Sequence, residues 1–363
     1  MSSDAGWIDI VGDIVLQRPA REGARLALPA DASVRLANLE GPLSRAGPPA
    51  DKLVRLSMPG EAAGWLAELG IHAVSLANNH SLDFGVEGLV ETLRLLGEAG
   101  VGWVGAGASP AQAFDPRVFY VAGNRVAALG AATTLPPGFA ARAGRPGVAG
   151  VAVRVSLETE RTVNEEQPGT APWVHTWIDE EDLRPLLEAV AEARRRADLV
   201  IVLIHWGVPP GWAPPFQGWL ADYQQPLAHR LVEAGAGAIV GHHPHCLHGI
   251  EVYRGVPVFY SVGNFIFHVH AHPEQLALDG ARLPYRTGSS GAERESLRVR
   301  LEVGGGRLRR AFVVPYWLGE QWEPEPVAAA AAAEIQQRIA SMSAGFGTRI
   351  TWGPDGTGEV WLG

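Results

Sequence analysis

The feature that most restricts the fold of this chain is a series of short aliphatic segments, each of which ends in a polar residue. The clearest segment is 199–205, an unbroken aliphatic run that stops at His205. Continuous aliphatic runs of this length are typical of strands that are buried on both faces of a sheet. Comparable segments precede other polar residues at 7–14, 33–39, 71–77 and 238–240. The chain is therefore predicted to form a buried sheet whose strand ends are polar.

Helices and hairpins complete the predicted architecture. Helical periodicity or helix-start signals cover five segments: 59–69, 86–99, 180–196, 222–234 and 326–342. Two hairpins are predicted, one over 118–129 across Gly123-Asn124 and one over 297–315. Strand–helix alternation followed by hairpins predicts an α/β fold with one mixed sheet, or two packed sheets, flanked by helices.

We expect one domain over 1–363. Residues 134–172 are rich in Gly, Pro and Ala and are interpreted as an insertion or cap, and residues 266–293 as a long polar loop. The hairpin and helix of 294–363 would complete the domain.

Composition excludes several partner classes. The formal net charge is −9 and no dense basic run is present, so nucleic acid is not an expected partner. The single cysteine rules out an intrachain disulfide. No segment reaches ~20 uninterrupted apolar residues, and the first 15 residues do not resemble a signal peptide, so we expect a cytoplasmic protein without a membrane partner. The oligomeric state is open, and a homodimer is one alternative.

The polar residues at the strand ends are of metal-ligand type. They are Asp13, Glu40, Asn79-His80, His205 and His243-Pro244-His245. Binding sites in open α/β sheets gather at the carboxyl ends of strands, where loops bring distant positions together. Carboxylate, amide and imidazole donors suit one or two divalent ions, among which Mn, Fe, Zn and Ca are not distinguished. A two-ion site needs a bridging carboxylate, which Glu40 could provide.

Each of these residues also fits a purely structural role. Asp13 could form a turn, Glu40 could be solvated, Asn79 could cap a helix, His205 could be a core histidine, and 243–245 could be a rigid loop. The same pattern at five successive strand ends favours metal binding.

The motifs together resemble those of the CapA family of the calcineurin-like metallophosphatase superfamily. The resemblance spans residues 7–267 and lies in Gly12-Asp13, Asn38-Leu39-Glu40, Ala77-Asn78-Asn79-His80 with Asp83 and Gly85, His205-Trp206-Gly207, Gly241-His242-His243-Pro244-His245 and Gly263-Asn264-Phe265. It implies a calcineurin-like metallophosphatase fold, a four-layer α-β-β-α sandwich of two packed mixed sheets.

The resemblance also implies a role for each site residue. Asp13 and His245 would hold one metal ion, Glu40 would bridge, and Asn79, His205 and His243 would hold the other. His80 would act as general acid, oriented by Asp83. Asn78 and Asn264 would line the substrate site.

Two departures from the family pattern modify these expectations. Superfamily phosphatases place a histidine two residues after the first Asp, where this chain has Val15. The Asp13/His245 site is therefore expected to bind its ion weakly or not at all. An acidic residue that often follows His-Trp-Gly is replaced by Val208-Pro209-Pro210, so we expect different substrate contacts there.

Some neighbouring residues have two interpretations. Trp206, Trp212 and Trp219 would either form an aromatic wall that binds a substrate or anchor a long loop to the core. His268, His270 and His272 would add a ligand or proton shuttle, or lie in a solvated loop. Cys246 is expected to be a packing residue rather than a thiolate ligand.

Three functions fit these residues. The first is a metal-dependent hydrolase of a phosphoester or a peptide-like amide, in which His80 protonates the leaving group. The second is a metal-assisted peptide epimerase, in which Asp13 and His245 transfer a Cα proton on opposite faces. The third is a non-catalytic metal-binding protein. The family resemblance places the hydrolase first.

Overall fold

The computed structural model describes residues 5–52, 54–170, 172–207, 220–268, 291–325 and 329–363. In these ranges the strands are β1 (Gly6–Val15), β2 (Ala32–Leu39), β3 (Ala73–Ser75), β4 (Gly102–Val104), β5 (Ala106–Gly107), β6 (Arg117–Val121), β7 (Asn124–Ala132), β8 (Gly147–Val148), β9 (Arg154–Glu158), β10 (Trp173–Trp177), β11 (Leu199–His205), β12 (Ala238–His242), β13 (Ile250–Tyr253), β14 (Val256–Phe259), β15 (Asn264–Phe267), β16 (Glu295–Gly304), β17 (Arg307–Leu318), β18 (Pro324–Glu325), β19 (Ile350–Trp352) and β20 (Gly358–Val360). The helices are α1 (Glu22–Leu26), α2 (Ala62–Glu68), α3 (Gly85–Glu98), α4 (Pro110–Ala113), α5 (Arg161–Glu166), α6 (Glu180–Arg196), α7 (Gln224–Ala234) and α8 (Ala329–Ala344), with a 3-10 turn at Ala292–Arg294.

The larger sheet is mixed. Its strands lie in the order β19-β20-β17-β16-β1-β2-β3-β4, with β15 beside β1 and β18 beside β17. Strands β1 to β4 and β15 run parallel, whereas β16 and β17 join as an antiparallel hairpin. The parallel part directs the carboxyl ends of β1, β2 and β3 toward one edge, and β15 begins at this edge, with Asn264 beside Asp13.

The second sheet is also mixed and has six strands, in the order β13-β14-β12-β11-β7-β6. Its centre is parallel, with β11 between β7 and β12, and its two margins are antiparallel hairpins. Strand β11 is buried along its whole length, as its aliphatic run predicted.

Three hydrophobic clusters hold these elements together. The central cluster contains side chains from both sheets, among them Ile10 of β1 and Ile201 of β11. A second cluster joins α2 and α3 to the larger sheet, and a third joins α6 and α7 to the smaller one. The two sheets therefore share one core, and helices cover other parts of both.

Helix ends follow their sequence signals. Helix α6 begins with Glu180, Glu181 and Asp182 and ends with three arginines, an arrangement that complements the helix dipole. Helix α7 ends at Ala234 and is followed by Gly235, whose φ of 118° provides the left-handed C-cap.

The prediction of a mixed α/β fold is confirmed, and the architecture is consistent with a metallophosphatase-like fold. The complete four-layer order stays a prediction. Segment 134–172 is more regular than predicted, because it contains β8, β9 and α5, and β9 pairs with β10 in an exposed hairpin. In the predicted loop 266–293, the first two residues belong to β15 and residues 269–290 lie outside the described residues.

Among the described helices, none combines the length and apolar character needed to cross a bilayer.

Candidate metal centre

Parallel pairing in the larger sheet aligns three of the site side chains. Asp13 of β1 lies in register with Asn38 of β2 on one side and with Asn264 of β15 on the other. The backbone N–H of Glu40 donates to the carbonyl of Ile14 at 3.0 Å. This bond continues the pairing past the end of β2 and fixes Glu40 beside Asp13.

Gly12 allows the chain to approach closely at this edge. A Cβ atom at Gly12 would lie 1.9 Å from the carbonyl oxygen of Gly263. The N–H of Asp13 donates to that same oxygen at 3.2 Å. Only glycine can precede Asp13 here without displacing the backbone that leads to Asn264.

The second sheet supplies the histidines. His205 at the end of β11 is in register with His242 at the end of β12, and the chain then turns through His243 and His245. Both of these residues have positive φ, 105° and 55°. Non-glycine residues in such conformations are strained and concentrate at functional sites. The loop thus holds two imidazoles in fixed positions against the larger sheet.

The first ligand group comprises Glu40, His205 and His243, whose donor atoms all lie within 4.8 Å of one another. Nε2 of His205 lies 3.0 Å from Nδ1 of His243 and 2.8 Å from Oδ1 of Asn79. These four side chains, predicted to hold one ion together, converge on one small volume.

The second ligand group comprises Asp13, Glu40 and His245, again with donor atoms within 4.8 Å. Nδ1 of His245 lies 3.3 Å from Oδ2 of Asp13, and its Nε2 lies 3.5 Å from Oε1 of Glu40. Val15 is fully buried in β1 and offers no donor atom. Glu40 is the member shared by both groups, as expected of a bridging ligand.

The state of Glu40 tests whether the residues fit a metal ion. Both carboxylate oxygens are buried, and neither has a hydrogen-bond partner among the described residues. Burial raises the pKa of Glu40 well above its usual range. A buried carboxylate without hydrogen bonds is costly, and a bound cation would offset that cost. The donors around Glu40 therefore fit a divalent ion.

Protonation differs between the two groups. Burial lowers the pKa of His243 to about 3 and holds the pKa of His205 well below its usual range, so both imidazoles are neutral, as metal ligands must be. Burial would also lower the pKa of His245, but the charges of Glu40 and Asp13 outweigh it and raise the pKa to about 10. Burial would raise the pKa of Asp13, yet bonding to His245 keeps it below the ordinary value. The two imidazoles of the first group thus each keep one nitrogen without a proton, whereas His245 of the second group holds the additional proton.

His80 lies between the ligands and a buried carboxylate. Its Nδ1 is 2.6 Å from Oδ2 of Asp83, and its Nε2 is 3.9 Å from Oε1 of Glu40. Asp83 is fixed in turn by the N–H of Leu56 at 2.6 Å and by Nζ of Lys52 at 2.7 Å. The ring is therefore oriented with one nitrogen on Asp83 and the other directed toward the site.

The side chains of Asn38 and Asn78 connect the strand ends. Nδ2 of Asn78 donates to Oδ1 of Asn38, and Nδ2 of Asn38 donates to Oδ1 of Asp13 at 2.8 Å. Oδ1 of Asn78 accepts from the backbone N–H of His80 at 3.0 Å. Asn78 was predicted to line the substrate site, but it is fully buried, and these bonds give it a positioning role. Asn264 contacts Nδ1 of His245 at 2.9 Å.

The prediction that Trp206 binds substrate is wrong. Trp206 has no exposed surface; its Nε1 donates to the carbonyl of Tyr260 at 2.8 Å, and its ring stacks on the Tyr260 ring. The alternative interpretation, an anchor in the core, describes it correctly. Trp212 and Trp219 lie outside the described residues, as do Val208-Pro209-Pro210.

Two further candidate residues, His268 and Cys246, have structural roles. His268 pairs with Oε1 of Glu323 at 2.9 Å and accepts from the N–H of Gln17, which commits both ring nitrogens. His270 and His272 lie outside the described residues. Cys246 is buried, and burial raises its pKa to about 12, so it is a thiol that packs in the core, as predicted.

Lys52 and Asn38 are the site residues that had no assigned role in the sequence. Nζ of Lys52 donates to the carbonyl of Asn79 at 2.6 Å, in addition to its contact with Asp83. A single lysine in a Pro- and Ala-rich segment carries no recognisable signal. Asn38 stood in a noted motif two residues before Glu40, and its position at the end of β2 was the available signal.

Comparison with known proteins agrees with the motif series. A family model described as "Bacterial capsule synthesis protein PGA_cap" matches residues 8–269. That range contains every predicted ligand.

Curated relatives carry related descriptions. The chain is similar to "PGA biosynthesis protein CapA" of Bacillus subtilis (strain 168), with 34% identity over 220 residues that cover 60% of this chain and 48% of the relative. "Capsule biosynthesis protein CapA" of Bacillus anthracis is 33% identical over 218 residues, 60% of this chain and 45% of the relative. A "Probable polyglutamine synthesis accessory protein" of Mycobacterium tuberculosis is 29% identical over 337 residues, 90% of this chain and 77% of the relative. The chain thus spans about half the length of the Bacillus relatives.

Proposed function

The chain belongs to the PGA_cap family of bacterial capsule synthesis proteins, and from that premise we propose that it is a metal-dependent hydrolase acting on a phosphoester or a peptide-like amide. The family is associated with capsule and polyglutamate synthesis. The hydrolytic reaction, the metal ion and the substrate class are our proposal.

The observation that carries this proposal is the position of Glu40. Its carboxylate is buried, lacks hydrogen-bond partners among the described residues, and is shared by two groups of donor atoms. A carboxylate between two sets of nitrogen and oxygen donors is what a two-ion hydrolytic site requires. Three imidazoles in the set favour Mn, Fe or Zn over Ca, which prefers oxygen ligands.

When bound, divalent ions would polarise the scissile group and lower the pKa of an attacking water. The proton transfers are assigned to His80. Burial lowers the pKa of His80, so it is neutral at rest, with Nδ1–H donating to Asp83 and an unprotonated Nε2 facing Glu40. Nε2 can accept a proton as the water attacks and deliver it to the leaving group.

Asp83 keeps this histidine in one tautomer. A neutral ring whose Nδ1–H is held by a carboxylate presents only Nε2 to the substrate. Lys52 and the N–H of Leu56 fix the carboxylate itself. These contacts favour a catalytic interpretation, because a site that only stored a metal ion would gain nothing from an oriented imidazole outside the ligand set.

The epimerase alternative receives no specific support. That reaction needs two acid/base groups facing each other across a substrate carbon. Instead, Nδ1 of His245 lies 3.3 Å from Oδ2 of Asp13, and both residues belong to the second ligand group together with Glu40. This geometry favours hydrolysis over epimerisation.

A substrate screen tests the proposal. Protein loaded with manganese is assayed against chromogenic phosphoesters and poly-γ-glutamate, and His80→Asn is compared with His72→Asn, a surface histidine outside the site. We expect turnover that His80→Asn abolishes and His72→Asn preserves. Absence of turnover by metal-loaded protein on both substrate classes would contradict the proposal and favour a non-catalytic metal-binding role.

A further inference from the structure

A cavity of about 400 Å³ adjoins the site on the Asp83 side of His80. One wall is formed by residues 48–52 and the other by residues 136–145, with Leu82 and Gly85 between them. Pro48, Pro49, Pro136 and Pro137 line it and limit how far its walls can move. The second wall belongs to the segment that was interpreted as a cap, so that segment lines the same cavity as Lys52, which contacts Asp83.

Lys52 carries an uncommitted hydrogen-bond donor in this cavity. Nδ1 of His80 lies 2.6 Å from Oδ2 of Asp83, so this nitrogen bears the proton and donates to the carboxylate. Lys52 cannot donate to the same nitrogen, although Nζ lies 3.2 Å from it. Two N–H groups of Lys52 go to Asn79 and Asp83. The third has no acceptor among the described residues.

Two cationic side chains, Lys52 and Arg145, line the cavity. Arg145 lines it and forms no ion pair within the described part of the chain. Nζ of Lys52 lies 5.6 Å from the centre of the Phe139 ring. Of the nearby carboxylates, Asp51 is exposed and lines the cavity, whereas Asp83 already accepts from Lys52 and from the N–H of Leu56.

We propose that this cavity is a binding subsite for an oxyanion, carboxylate or phosphate, carried by the substrate of the adjoining site. Lys52 and Arg145 are its donors, and Phe139 with the prolines forms an apolar backing for the carbon chain that bears the anion. The assignment to a substrate rests on the proposed function, whereas the affinity of the cavity for an oxyanion does not.

Calorimetric titration of the full chain tests the subsite directly. The protein is stripped of metal, dialysed free of chelator, and titrated with a γ-linked glutamate trimer, its γ-linked glutamine counterpart, and phenyl phosphate. The variants are Arg145→Gln and, as matched control, Arg142→Gln, which exchanges backbone hydrogen bonds with Arg145 in the same turn but does not line the cavity.

We expect one or both anionic probes to bind, and the neutral trimer to bind at least roughly tenfold more weakly. Loss of one charge-assisted bond in Arg145→Gln should weaken anion binding roughly tenfold, and Arg142→Gln should leave it unchanged. Binding of the glutamate trimer alone assigns a carboxylate, and binding of phenyl phosphate alone assigns a phosphate.

The subsite is overturned if neither anionic probe binds, if the neutral trimer binds equally, or if the two arginine variants behave alike. Phosphoesterase activity of the manganese-loaded wild type is measured in parallel. Inactivity together with Arg145-dependent anion binding would overturn the proposed hydrolase and leave the subsite standing. Activity without Arg145-dependent anion binding would overturn the subsite and leave the hydrolase standing.

Discussion

Nε2 of His245 lies 3.5 Å from Oε1 of Glu40, and Nδ1 of the same ring lies 3.3 Å from Oδ2 of Asp13. This histidine therefore contacts two buried carboxylates at once. Without a metal ion, its proton is the positive charge that balances them. A cation bound by the same groups would replace that proton, which couples metal binding at this position to pH.

The first prediction concerns the stability of the metal-free protein at alkaline pH. The folded-state pKa of His245 is raised to about 10, above the ordinary value of ~6.5. The native state therefore holds the proton more tightly than the unfolded state does. The stability that His245 contributes is present below pH ~6.5 and is lost as pH rises toward 10. Thermal unfolding between pH 6 and 10 should show a steady decrease in Tm.

The control for this decrease is His245→Asn, which removes the titrating group. The variant should show a shallower decrease over the same interval. Saturating manganese should also flatten the curve for the wild type, because the ion replaces the proton. Identical slopes for wild type and variant would contradict the assignment.

The second prediction concerns Glu40→Gln. Because Glu40 belongs to both donor groups, its loss should weaken binding at both positions, lowering divalent-metal affinity roughly 100-fold or more. Equilibrium titration with metal quantification measures this. Glu251→Gln is the matched control: Glu251 is also buried, but its partners are Gln225, His229 and Tyr260. A similar loss in both variants would indicate general destabilisation rather than ligand removal.

The third prediction separates catalysis from metal binding at His80. His80→Asn should lower kcat by about 10²–10⁴-fold, the usual contribution of a general acid–base residue, and should leave the metal content unchanged. Asp83→Asn should lower kcat less, because Asp83 acts only through the orientation of His80. Metal analysis of the same samples that are assayed provides the check. Loss of metal in His80→Asn would instead make this residue a ligand.

The fourth prediction concerns Trp206. Because its ring is fully buried against Tyr260, Trp206→Phe should lower the free energy of unfolding by roughly 1–3 kcal/mol and leave KM within twofold of wild type. Urea unfolding and steady-state kinetics measure the two quantities. An increase in KM without loss of stability would restore a substrate-binding role for this residue.

The elements of the fold followed largely from local patterns. The aliphatic run of β11 and the amphipathic periodicity of α6 predicted a strand and a helix with nearly correct ends. A strand that is buried on both faces and a helix that is buried on one face each leave a direct pattern in the sequence. Strands β13, β19 and β20 were missed because they are only three or four residues long, although β13 pairs with the next strand, β14, and β19 pairs with β20. Segments this short show too little alternation of apolar and polar residues to be recognised as strands.

Most residues of the site, like most elements of the fold, could be predicted from local sequence patterns. Asp13, Glu40, His205, His243 and His245 each lie at or just after the end of a strand, so their convergence could be anticipated from the rule that parallel strands end at one edge. Lys52 could not be anticipated, because its position depends on how residues 48–52 pack against Asp83. Trp206 was misassigned because adjacency to a ligand in sequence does not fix the direction of a side chain, and alternation along the chain turns it away from His205.

The central claim is that Glu40 is the shared carboxylate of a divalent-metal centre. Anomalous scattering at the manganese edge, from crystals grown with Mn²⁺, tests it most directly. We expect anomalous density beside Glu40, with one peak among Asn79, His205 and His243 and a second peak, of lower occupancy, beside Asp13 and His245. Crystals with full manganese in solution and no anomalous density within bonding distance of Glu40 would contradict it.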